Sequence, residues 1–123
     1  MGVEKAAGGA LVSAEELSSF VERVLVFEGV PRADALIVAG CLSFANLSGV
    51  DSHGVVRLAH YLRRLANGTI NKNPRTSFEK KSQALGVMDG DDGLGHVVTW
   101  RACTAAMDLA SDCGIGVVSV GNS

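Results

Sequence analysis

Residues 49–65 read GVDSHGVVRLAHYLRRL. A Gly, an Asp and a Ser lead into His53, and Arg57, His60 and Tyr61 follow at near-helical spacing. A guanidinium such as Arg57 can bind a carboxylate through two hydrogen bonds. His53 and Tyr61, one turn to either side, could hydrogen-bond a hydroxyl or carbonyl next to that carboxylate, and His53 is the candidate acid/base. With His53 as origin and about 100° per residue, Val55, Leu58, Leu62 and Leu65 form a core stripe. His53, Arg57, His60, Tyr61 and Arg64 then share the opposite face of a helix running from Gly54 to Ala66. Asp51 and Ser52 occupy the place of an N-cap, where either side chain would accept a bond from the first turn.

Any wet helix face carries such residues, so the pattern alone does not make a site. The charge distribution adds to it. No acidic residue lies between Asp51 and Glu79, whereas Arg57, Arg63, Arg64, Lys72 and Arg75 all do. A solvated face normally mixes signs, because opposite charges one turn apart support the helix. A one-sign cluster at a helix start suits an anion. The arrangement favours a small carboxylic acid as ligand; a phosphate or an acidic protein partner would satisfy the same charges.

A second stretch, MDGDDGLGHVV at 88–98, holds three glycines and three aspartates. Its order is G-x-x-G-x-G, which is neither the Rossmann fingerprint nor a phosphate-binding P-loop. Asp89 and Asp91 begin like a calcium loop, but Gly93 and Trp100 stand where ligands are needed. It reads as a strand–turn–helix corner, with a backbone approach to a ligand as the alternative. His96 has no second ligand at metal spacing, and no metal is expected. Trp100 reads as a core or dimer contact.

These stretches need a scaffold. The chain has 123 residues, 47% hydrophobic and 20% charged, with a formal net charge of −2. That is enough for a core and offers no sign of nucleic-acid or membrane binding. No apolar run reaches the roughly 20 residues of a membrane span, and no secretory leader is evident. Three unpatterned cysteines (Cys41, Cys103, Cys113) read as reduced, buried thiols of a cytoplasmic protein. Residues 1–12 read as a loose tail. Ser13 and Glu16 form a capping box for a first helix, ended by Glu28-Gly29. Pro31 starts a second helix, uncharged from Ala35 to Val50 and so expected to be buried nearly all round. After the Gly54–Ala66 helix, NGTINKNP is turn and loop. Thr76–Lys81 and Gln83–Met88 read as strands, Val97–Cys113 as a helix, and Ile115–Val120 as a buried strand. The expected domains are a three-helix bundle over 13–72 and, over 73–123, the β-β-α-β beginning of an α/β unit, giving an α+β or α/β chain.

The stretches GVDSHGVVRLAHYLRRLANGTINKNP, ALGVMDGDDGLGHVV and GIGVVSVGNS together resemble the malate/L-lactate dehydrogenase family that lacks a Rossmann fold. The resemblance covers nearly all residues from 13 onward. It implies a homodimeric oxidoreductase that moves a hydride between NAD or NADP and C2 of a 2-hydroxy or 2-oxo acid. It places Ser52, His53, Arg57 and Tyr61 at the substrate end of the pocket, and it makes 73–123 the start of a non-Rossmann cofactor domain. It also expects the family's acid/base histidine just after Ser123. His96 stands where Gln is common, and Gly121 where Arg is frequent. On this reading the 123-residue chain is the N-terminal part of such an enzyme, inactive alone. A stand-alone helical binding or dimerisation module derived from the family is the alternative, and an unrelated helical domain with a phosphate patch is the third reading.

Overall fold

A computed structural model of the chain describes residues 11–123. Most of the expected tail, residues 1–10, lies outside the described residues. The fold is α+β, with four α-helices and a three-stranded sheet: α1 (Ala14–Phe27), α2 (Arg32–Leu47), α3 (Leu58–Ala66), β1 (Ser77–Lys80), β2 (Leu85–Asp89), α4 (Gly95–Cys113) and β3 (Val117–Gly121).

Local chemistry sets the first two helices. The Ser13 hydroxyl accepts from the Glu16 amide at 3.1 Å, and the Glu16 carboxylate accepts from the Ser13 amide at 2.9 Å. That reciprocal box satisfies two otherwise orphan donors. It also holds the Glu16 carboxyl below its ordinary value, through the backbone and hydroxyl hydrogen bonds of Ser13. Gly29 (φ +100°) turns the chain out of α1 in the left-handed region. Val21 and Leu25 of α1 interlock with Ala35, Val38, Ala39 and Leu42 of α2, all fully buried. The i, i+3, i+4 spacing puts each set on one stripe, and each large side chain so buried contributes roughly 1.5–3 kcal/mol.

This core does not stop at the helical half. Leu58 and Leu65 of α3, Ile70, and Leu94 and Val97 at the start of α4 belong to it. The next residue along α4, Val98, joins Met88 and Ala102 in a smaller core under the sheet. Consecutive valines thus tie the two cores together. A buried ion pair does the same: Asp34 (5% exposed) accepts two bonds from the Arg101 guanidinium, at 2.8 and 2.9 Å. Arg101 also donates to the Pro74 carbonyl and the Thr76 hydroxyl, each at 3.2 Å.

The sheet order is β1-β2-β3. β1 and β2 are antiparallel, with Ser77 opposite Asp89. β2 and β3 are parallel, with Leu85 beside Val117 and Asp89 beside Gly121. A parallel pair needs a crossover, and α4 supplies it.

Three expectations are corrected here. The Ile115–Val120 strand is not buried: Ile115 is 60% and Val117 50% exposed. Only one face of the sheet lies under α4, so Leu85, Val87 and Val117 on the other face stay open. Nor is α2 buried all round, because its neighbours cover one side and leave Leu36, Phe44 and Leu47 exposed. The thiols are also more open than expected. Cys103 and Cys113 are exposed, since α4 buries only its opposite stripe, and Cys41 is half-buried. Burial pushes the Cys41 thiol up.

Candidate functional site

The stretch from Asp51 does not form the expected helix. Two single 3₁₀ turns, Asp51–His53 and Val55–Arg57, precede α3, which begins only at Leu58. The reason is Asn46, near the end of α2. Its side-chain amide donates to Asp51 Oδ1 at 2.7 Å, and its carbonyl oxygen accepts from the Val55 amide at 2.8 Å. The carboxamide packs directly over Gly54, where any Cβ would overlap it. Asp51 and Ser52 therefore do not act as N-caps; Asp51 is held by Asn46 instead. The shared face predicted for His53, Arg57, Tyr61 and Arg64 required a continuous helix and does not exist as such. Within α3 itself the stripe holds, with Leu58 and Leu65 buried.

Ser52, His53 and Arg57 form an exposed cluster. The Ser52 hydroxyl lies 3.0 Å from His53 Nδ1. Arg57 Nε donates to the Ser52 carbonyl at 2.8 Å, which orients the guanidinium. Its two terminal nitrogens have no partner among the described residues and could receive a carboxylate end-on. Much of the surrounding positive charge has an ordinary explanation. Lys72 pairs with Glu28 at 3.0 Å, an acid supplied by α1 from far away in sequence. Arg63 and Arg64 sit in the last turn of α3, where cations offset the helix dipole.

Tyr61 lies apart from that cluster. It packs on the main core and lines a cavity of about 640 Å³ between α2, α3 and α4, together with Arg64, Ile70, His96, Trp100 and Cys103. Ser52, His53 and Arg57 do not line it. The Tyr61 and His96 rings meet edge to face, with centroids 5.3 Å apart and planes at 86°. His96 Nδ1 is buried without a hydrogen-bond partner. Burial pushes the imidazole below its ordinary value, favouring the neutral ring. Trp100 is 57% exposed at the cavity rim, so it is not a core residue. Sequence reading undervalued His96 because a lone histidine carries no partner signal. It passed over Asn46 because nothing in an uncharged helix marks one amide as a clamp.

The glycine- and aspartate-rich stretch is a structural knot. Asp91 Oδ2 accepts from Asn71 Nδ2 and from the Arg75 amide, at 2.9 and 2.8 Å. Asp89 accepts from the Asp91 amide and from Asn122 Nδ2, both at 2.8 Å. The amides of Gly90, Asp92 and Gly93 donate to the carbonyls of Gly121, Asn122 and Gly90. A phosphate cradle needs free amides pointing at one place, and these are engaged. The amides of residues 90–93 are therefore not free to hold a phosphate. Among the described residues, no three His, Cys, Asp or Glu side chains converge on a metal position, and no helix is long and apolar enough to cross a membrane.

Residues 12–123 match the family model described as malate/L-lactate dehydrogenase. The chain is 44% identical over 109 residues to a malate dehydrogenase of Pyrococcus abyssi, covering 89% of this chain and 30% of that protein. It is 38% identical over 113 residues to an L-sulfolactate dehydrogenase of Methanocaldococcus jannaschii, covering 92% and 33%. The structure of malate dehydrogenase from Pyrococcus horikoshii superposes with a TM-score of 0.90 at 42% identity, over 93% of this chain and 33% of that one. The chain thus spans about a third of the length of these relatives.

Proposed function

Because this chain belongs to the malate/L-lactate dehydrogenase family, we propose that it forms the substrate-side part of an oxidoreductase acting on a small 2-hydroxy or 2-oxo acid, with NAD or NADP as hydride carrier. The observation that carries this reading is Arg57, exposed, anchored through Nε on the Ser52 carbonyl and free at its terminal nitrogens. The Ser52–His53 pair beside it offers a hydroxyl and an imidazole to the oxygen on C2. Tyr61, facing its own cavity, bounds the substrate region from α3. The nucleotide supplies or accepts the hydride when bound. The turn amides of 90–93 are engaged within the chain, and the proposal places most of the nucleotide's contacts elsewhere. A homodimer and a cytoplasmic setting belong to the same proposal.

Titration of the chain with L-lactate or L-malate is expected to shift the NMR signals of Ser52, His53 and Arg57. Arg57→Gln should weaken binding about tenfold or more, the scale of a lost charge-assisted hydrogen bond. Equal affinity in the variant overturns this assignment. The second reading is a non-catalytic dimerisation module, favoured by the exposed apolar face of Leu36, Phe44 and Leu47 on α2. A chain that self-associates in sedimentation and binds neither acid would support that reading instead.

A further inference from the structure

Neither hydrogen bond of the Asn46 side chain goes to Ser52, His53 or Arg57, yet the stretch that carries those residues has little else to hold it. Between Asp51 and Arg57 only Gly54 is buried, and it has no side chain. Apolar packing reaches the stretch through Val55 alone, which lies half-buried against the main core. The stretch's own backbone bonds are those of single 3₁₀ turns: the amides of His53, Gly54 and Arg57 donate to the carbonyls of Val50, Asp51 and Gly54. Such turns have poorer hydrogen-bond geometry than an α-helix, and Gly54 between them is extended (φ −89°, ψ −150°). Asn46 supplies the missing hold. It is half-buried on α2, one turn after the buried Leu42 and Ser43, and so stands on a packed helix. From there it ties the two ends of 51–55 together, donating to Asp51 Oδ1 and accepting from the Val55 amide. These partners dictate the chemistry of the clamp. A carboxylate only accepts and a backbone N–H only donates, so one donor and one acceptor are needed on a short arm. A carboxamide provides both.

The Ser52 carbonyl lies inside the segment that Asn46 ties, and it is the acceptor that holds Arg57 Nε at 2.8 Å. The direction of the guanidinium thus depends on a peptide group whose own place depends on Asn46. We propose that Asn46 is a positioning residue for carboxylate capture: it pre-sets the Ser52 carbonyl, so that the terminal nitrogens of Arg57 are already aimed when the acid arrives. The proposal rests on the role given to Arg57 above. Without the clamp, the segment would be ordered only as the acid binds, and binding would carry that cost.

The test is a double-mutant cycle in the isotope-labelled 123-residue chain, with L-lactate as the probe and affinity read from NMR shifts. Asn46→Ala should weaken binding about fivefold. In the Arg57→Gln background the same change should have no further effect, because residues that act through one contact are not additive. Asn46→Asp still accepts from the Val55 amide but, when ionised, cannot donate to Asp51. Its affinity should fall between those of the wild-type and Asn46→Ala chains, and it keeps the test decisive if Asn46→Ala does not fold. Before any ligand is added, Asn46→Ala should also speed exchange of the Arg57 Nε–H with water, while the Gly90 and Asp92 amides exchange as before and so report an intact fold. The proposal is overturned if neither Asn46 variant weakens L-lactate binding, if Arg57 Nε–H exchange is unchanged in Asn46→Ala, or if the loss is the same with and without Arg57. Weaker binding in Arg57→Gln but not in Asn46→Ala removes the role of Asn46 alone. A wild-type chain that binds no L-lactate, or an Arg57→Gln chain that binds it equally well, overturns the role of Arg57 and this proposal with it.

Discussion

Two short stretches of this chain, 51–57 and 89–95, both combine aspartate and glycine, and the fold treats them in opposite ways. In the second, the Asp89 and Asp91 carboxylates and the turn amides bind other parts of the chain. The turn joins the loop after α3 to the end of β3, and its acids are fastenings. In the first, one residue outside the stretch, Asn46, does nearly all the holding. The side chains of Ser52, His53 and Arg57 are left exposed, with donors and acceptors to spare. A polar group already satisfied inside the protein has little to offer a ligand, whereas one held by its backbone and free at its tip has much. Density of acidic residues is therefore a poor guide to the site here; unspent hydrogen-bonding capacity is a better one.

The largest expected effect tests whether the two stretches ride on one rigid body. Asp34→Ala leaves the Arg101 guanidinium without its partner, and Arg101 spans both cores. We expect a loss of about 3 kcal/mol in urea unfolding, at the low end for a broken buried pair because the Arg101 side chain is 32% exposed. A loss under about 1 kcal/mol would mean that the pair does not join them.

The next test sets the two glycines against each other. A Cβ at Gly90 would stand 2.5 Å from the Asn122 carbonyl oxygen and 2.9 Å from Val98, neither of which can yield easily. A Cβ at Gly54 would meet only the tip of Asn46, which can swing away. Gly90→Ala should cost about 2–3 kcal/mol and Gly54→Ala about 1 kcal/mol. The reverse order in thermal unfolding would break the comparison.

Asn46→Ala sharpens it further. Removing the clamp should cost about 1 kcal/mol and speed hydrogen exchange at the Val55 amide, while exchange at Gly90 and Asp92 stays as it was.

The smallest expected effect is the pH dependence contributed by His96. Its folded value lies below the ordinary 6.5, so between the two values the unfolded chain binds more protons. Stability is complete above about pH 6.5 and falls as pH drops through the folded value. His96→Gln should flatten that part of a plot of melting temperature against pH, and an unchanged slope would show that the burial of His96 has no such consequence.

Much of the scaffold was legible because its signals are local. Ser13 and Glu16 lie three residues apart and cap each other. The glycines at 29 and 49 stop their helices in left-handed conformations. The β2–α4–β3 crossover follows from a strand, a long helix and a strand in succession. The site was less legible because its determinants are distant. The missing acids after Asp51 looked like an invitation to an anion, yet Glu28 of α1 reaches Lys72 from 44 positions away. The helix expected from Gly54 failed because Asn46, in the preceding helix, holds the Asp51 carboxylate and the Val55 amide, five and nine residues further on. Tyr61 met His96, a residue 35 positions later, only through the packing of α3 on α4.

The sequence by itself determined the family, the order of helices and strands, and the residue types available for binding a carboxylate, because these depend on local spacing and on a pattern read along the chain. Tertiary structure alone decided which of those residues have free hydrogen-bonding groups. It engaged the carboxylates of Asp89 and Asp91 and freed the tip of Arg57. It also set the His96 ring edge to face against Tyr61, with Nδ1 buried. Whether a donor is free depends on which distant partners packing brings within about 3 Å, and no local pattern contains that distance.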